Sequence, residues 1–111
     1  MPLLELSTED SGQTVRLALR GELDISSTAA AEAAFAELEQ RRPEHIVLDL
    51  RALRFMDSTG LRAVVNADVR AREQGRRLTV VRGPEPVQRV FDVTGIAERL
   101  DIVDDPAALA T

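Results

Sequence analysis

One stretch of this 111-residue chain gathers an acid, two hydroxyls and a glycine: Phe55-Met56-Asp57-Ser58-Thr59-Gly60-Leu61. Ser58 and Thr59 are hydroxyls able to accept a phosphoryl group, and Asp57 sets a carboxylate beside them. A second segment, Gly21-Glu22-Leu23-Asp24, supplies another acid in a turn-like setting. The remaining reactive chemistry is sparse. The chain has no cysteine, which excludes disulfides, thiolate metal sites and a cysteine nucleophile. His45 is the only histidine, so a two-imidazole metal site cannot be built and any Ser-His-Asp triad would depend on that residue. It stands at the mouth of the apolar run Ile46-Val47-Leu48, where flanking a strand is the simpler role. All 14 positive charges are arginine, which removes the phosphate-loop lysine, Schiff-base chemistry and a lysine base.

The elements that must position these residues alternate along the chain. Leu3 to Ser7 is a short apolar run, followed by a polar turn over 8–13. Val15, Leu17 and Leu19 then alternate with Thr14, Arg16, Ala18 and Arg20 at the period of a half-buried strand, which predicts an antiparallel hairpin. Ser26, Ser27 and Thr28 offer helix caps ahead of Ala31, Ala34, Phe35 and Leu38, and Pro43 ends that helix; no capping box marks its start. Ile46 to Leu50 reads as an interior strand. A second helix is predicted from about Thr59 to Gln74, with Leu61, Val64, Val65 and Val69 inward and Gly75 as its stop. Leu78 to Val81 is another strand, and Pro84-Glu85-Pro86 opens a third helix that ends at Gly95. Leu100 to Val103 reads as a last edge strand and Asp105 to Ala110 as a short terminal helix. The order predicts an α/β fold: a mixed four- to five-stranded sheet, right-handed crossovers, and helices mainly on one face. Residues 1–111 are expected to form one domain, its core spanning about 3–103.

Ser58 falls at or beside the start of the second helix, where its hydroxyl is placed to cap the first turn. Strand-to-helix turns in open α/β sheets lie at the carboxyl edge, where ligands and partners bind. A phosphate there sits against free N–H groups and the positive end of the helix dipole, so it need not melt the helix. It would add about −1.5 to −2 charges beside Asp57 and repel a partner docked over this edge. Asp24 lies in a loop expected to share that edge.

Taken with His45-Ile46-Val47-Leu48-Asp49-Leu50 and Val90-Phe91-Asp92-Val93-Thr94-Gly95-Ile96, these two segments resemble the STAS domain of bacterial anti-sigma factor antagonists. The resemblance runs from about Leu3 to Val103. It implies a partner switch: the unphosphorylated protein binds an anti-sigma factor that is also a serine kinase, freeing a sigma factor. Phosphorylation then ends binding until a serine phosphatase reverses it. Carried over, the modified residue is Ser58, with Thr59 the second choice, and Asp24, Asp57, Thr59, Gly60 and Arg62 belong to the docking surface. ATP is the kinase's ligand, so no cofactor is expected on this chain and no catalytic residue. Arg62 departs from the small residue, often glycine, that many relatives carry after the Gly-Leu pair; it bears on phosphate pairing or on partner choice. The short tail, with room for a turn or two of a final helix, is a second departure.

Other readings fit less well. An aspartic protease needs glycine directly after the hydroxyl residue, and Thr59 intervenes here. A receiver domain needs a lysine. A small-ligand or nucleotide-binding variant of the same domain stays an alternative, with no glycine-rich phosphate loop to support it. A STAS subunit of a stress-sensing assembly, with threonine modified, stays open as an alternative. The net charge of −5 argues against nucleic acid. No run approaches a membrane helix and no leader pattern opens the chain, so a cytoplasmic protein is expected, with nothing demanding more than a monomer.

Overall fold

The computed structural model describes residues 3–105. Strand β1, Leu4–Ser11, folds back antiparallel onto β2, Thr14–Leu23, through Gly12 and Gln13. The turn is tighter than the polar run over 8–13 suggests, because Ser11 already pairs with Thr14. Residues 7–11 hide their strand character by being exposed at a sheet edge, where no apolar alternation is required. Gly12 takes φ +65, a left-handed conformation that a tight turn needs and that glycine adopts without strain.

From β2 the chain climbs the sheet one strand at a time. Helix α1, Thr28–Gln40, leads to β3, His45–Met56; α2, Ser58–Glu73, leads to β4, Arg77–Val81; α3, Glu85–Thr94, and a 3-10 turn, Ile96–Glu98, lead to β5, Asp101–Val103. Strand order is β1-β2-β3-β4-β5, with every pair after the hairpin parallel. Leu17, Leu48 and Val80 stand side by side across β2, β3 and β4 and pack in one cluster with Phe35, Leu38, Val64, Val87 and Phe91 of the helices. Each such side chain contributes about 1.5–3 kcal/mol by leaving water. The α/β architecture, the five-stranded mixed sheet and the helices on one face all match the sequence expectation.

Two expectations change. Strand β3 does not stop at Leu50; 51–56 continue it beside β2, where register shifts between Ala18 and Arg20 and between Gly21 and Glu22 break the alternation. Val69 does not face inward: it is 47% exposed, and the buried stripe of α2 runs through Leu61, Val64, Ala67 and Ala71. Alanines at 67 and 71 let the last turns of the helix approach the sheet closely, so in that half residue size does not mark the inner face. The expected terminal helix over 105–110 lies outside the described residues apart from Asp105.

The opposite sheet face mixes buried Val47 and Val81 with ordered polar groups. Asp49 is buried there, gripped by the Arg51 guanidinium at 2.7 and 3.0 Å with Arg16 at 3.5 Å. Burial alone would raise its pKa, and the bonds from Arg51 with the charge of Arg16 reverse that and hold it below the usual carboxylate value. At the start of β3, His45 Nε2 lies 2.8 Å from the Thr79 hydroxyl, which donates to Asp101. Burial lowers the His45 pKa from 6.5, helped by the nearby Arg77 charge and opposed by Asp101. The unfolded chain therefore takes the proton first as pH falls, and stability declines from about pH 6.5 down to the folded value. His45→Gln is expected to flatten that decline, read as urea midpoints between about pH 8 and pH 5.

Candidate functional site

The carboxyl ends of β2 and β3 meet at one edge of the sheet, and Asp57 ties together the segments that leave them. It is the N-cap of α2, in extended conformation, with Oδ1 accepting from the Gly60 N–H at 2.9 Å. Its second oxygen accepts from the Ile25 N–H of the β2–α1 loop at 3.2 Å. Its own N–H donates to the Leu23 carbonyl at 3.3 Å, and its carbonyl accepts from the Leu61 N–H at 3.0 Å. One residue thus fixes both the start of α2 and the path of the neighbouring loop.

That loop is also tied internally. The Asp24 carboxylate accepts from the Ser26 N–H at 2.9 Å and the Ser26 hydroxyl at 2.6 Å. The Ser26 hydroxyl bond is the main reason its pKa lies below the usual carboxylate value. The Ser27 hydroxyl donates to the Glu22 carbonyl at 2.7 Å, and Thr28 Oγ1 to the Asp24 carbonyl at 2.5 Å. Ser27 is the N-cap of α1 by position, yet its side chain stitches the loop and bonds no N–H of the helix. The turn is built before the helix begins.

Ser58 lies beside the N-cap as expected, but its hydroxyl does not make the cap bond. It is the first residue of α2 and leaves the cap to Asp57. Its side chain is exposed, and its hydroxyl makes no hydrogen bond among the described residues. A short side chain that bonds the helix start is a general cap signal, and Asp and Ser satisfy it equally, so adjacent Asp57 and Ser58 could not be ranked from sequence. Thr59 is half-buried behind Ser58, and Arg62 is exposed one turn further along. Gly60 is buried: a Cβ there would lie 2.5 Å from the Leu23 carbonyl oxygen and 2.8 Å from Leu23 Cγ. Its part in any docking surface is to let α2 press against β2.

The geometry brings Asp24, Asp57, Ser58, Thr59, Gly60 and Arg62 to one sheet edge, the first two joined through Ile25. His45 is at the far end of β3, so Ser58 has no imidazole base. Among the described residues no group of three or more His, Cys, Asp or Glu is arranged to hold a metal ion. Chemically, the site offers an unbonded hydroxyl to a group transferred from outside. Sequence reasoning missed two apolar residues of this edge, Ile25 at 80% and Phe55 at 47% exposure. Ile25 was detectable as the one apolar residue in the polar turn Asp24-Ile25-Ser26-Ser27; Phe55 was hidden by the unforeseen extension of β3.

Two substitutions test this construction. Asp57→Ala is expected to cost about 1–2 kcal/mol in urea unfolding as a lost cap, and to speed hydrogen exchange at the Ile25 amide in particular. Gly60→Ala is expected to cost about 1–3 kcal/mol, because the added methyl forces α2 off the end of β2.

Comparison with known proteins finds similar chains and similar folds. Residues 6–104 match the family described as "Mlab, STAS domain". The chain is 32% identical to an anti-sigma F factor antagonist of Paenibacillus polymyxa over 92% of this chain and 88% of that protein. A crystal structure of an anti-sigma factor antagonist from Mycobacterium paratuberculosis superposes with a TM-score of 0.82 at 22% identity, covering 92% of this chain and 86% of that one. The Bacillus cell fate determinant SpoIIAA in its phosphorylated form superposes with a TM-score of 0.72 at 23% identity, covering 96% and 97%.

Proposed function

The chain belongs to the STAS-domain family, and from that premise we propose that it is an anti-sigma factor antagonist switched by phosphorylation of Ser58. In its unphosphorylated form it docks the sheet edge around Asp24, Ile25, Phe55 and Ser58 onto an anti-sigma factor that is also a serine kinase, and a sigma factor is released. The observation that carries this reading is the exposed, unbonded Ser58 hydroxyl at the first position of α2, flanked by two exposed apolar side chains. Apolar anchors beside a polar rim are what a protein partner recognises. Support also comes from the names of the relatives, one of which has been solved phosphorylated.

The chemistry needs little from this chain. The Ser58 oxygen attacks the γ-phosphorus of the kinase's ATP, the bond to ADP breaks, and the hydroxyl proton passes to a base on the kinase. The new phosphate lies at the positive end of the α2 dipole, so the helix tolerates it. The partner does not. About −1.5 to −2 charges appear beside the Asp57 carboxylate in the middle of the docking edge, and stripping water from this net negative group costs more than the interface gains. A serine phosphatase removes the group and resets the switch. The protein itself is then a substrate and a binding partner, with no catalytic residue of its own and Thr59 as the second choice of phosphorylation site.

Incubation with candidate kinases and ATP, followed by mass spectrometry, is expected to add one phosphate to the wild type and none to Ser58→Ala; undiminished phosphate on the variant would refute the site. Ile25→Asp is expected to weaken kinase binding at least about tenfold while leaving the circular dichroism unchanged.

A further inference from the structure

Arg62 has no evident work in the fold. It is exposed and makes no ion pair or side-chain hydrogen bond among the described residues. Arg54, the other arginine close in sequence to Ser58, pairs with Glu22 at 3.7 Å, and Arg70, further along α2, grips Glu39 through two nitrogens. Residues three and four positions away on a helix are the ones a side chain can meet. For Arg62 these are Ser58, Thr59, Val65 and Asn66, none of them acidic. The first turn of α2 carries no acid at all.

We propose that Arg62 is the counter-cation of the phosphorylated state, folding back over the first turn of α2 to hold the phosphate on Ser58. The inference rests on the reading of Ser58 given above and adds to it the residue that governs how long the phosphate persists. Helical side chains lean toward the N-terminus, so a long side chain at position 62 reaches toward position 58 in its ordinary rotamers. An anion four residues before a cation is also the favourable order along the helix dipole. The guanidinium fork matches two phosphate oxygens at once, a fit that lysine lacks.

The phosphate needs such a partner. Asp57 cannot turn away from it, since both carboxylate oxygens are held by the Gly60 and Ile25 N–H groups. A phosphate on Ser58 therefore stands beside a fixed negative charge, and Arg62 is the unpaired cation placed to offset it. The pair keeps the phosphate in its dianionic form, and a phosphatase has to break it before hydrolysis. In the unmodified protein the same arginine is left free at the docking edge.

Phosphoserine installed at position 58 during translation separates this inference from the choice of kinase. Titrated by phosphorus NMR at low salt, the second phosphate pKa is expected to be about 0.5 lower in the wild type than in Arg62→Gln, with the difference shrinking at high salt. Arg54→Gln is expected to titrate like the wild type. Alkaline phosphatase is expected to release phosphate from Arg62→Gln about two- to threefold faster. Coincident titrations of wild type and Arg62→Gln, or an equal change in Arg54→Gln, would overturn the pairing. Neither result would bear on whether a kinase modifies Ser58, which the alanine variant decides separately.

Discussion

The site depends on a single carboxylate shared between two loops. Asp57 binds the first turn of α2 with one oxygen and the β2–α1 turn with the other. Both acceptors are spent within the fold, which has two effects. The loops on either side of Ser58 are held at a fixed spacing, so the surface they form is ordered before anything meets it. The neighbouring serine is also released from structural duty. Acid and hydroxyl are adjacent in sequence, and the fold uses one for architecture and leaves the other open to chemistry.

Close packing carries this arrangement into the sheet. Gly60 brings α2 against Leu23 at the end of β2, and Gly21, at φ +107, lets that strand pass the Leu3 carbonyl. Neither place admits a side chain. Such contacts are stiff because interiors have few voids to absorb a shift. The edge around Ser58 therefore inherits its shape from the backbone of β2 and β3 more than from the side chains displayed on it.

The sequence was legible where burial imposes a period. Val15, Leu17 and Leu19 announced β2, Ile46 to Leu50 the interior part of β3, and Gly95 the end of α3, where it adopts φ +77 as a left-handed cap. It was opaque where burial imposes nothing. The outer half of β1 is exposed and reads as loop, while 51–56 extend β3 through register shifts that scramble the alternation. The acids and hydroxyls of the site were visible because their types are distinctive. Which of them caps the helix was not, since that choice turns on whether Ile25 can reach a second oxygen 32 residues away in the chain. The exposure of Ile25 and Phe55 is likewise a property of the assembled edge.

The two outer strands of the sheet offer very different templates to another chain. Strand β1 is eight residues long, with its outer half exposed and bearing Glu9 and Asp10, while β5 has only three residues. An incoming strand would meet carboxylates along one margin and almost no length to pair with on the other. Lateral growth of the sheet is discouraged at both ends by unrelated means. The edge that carries Ser58 thus stays the more accessible one, since neither outer strand offers a second chain much to pair with.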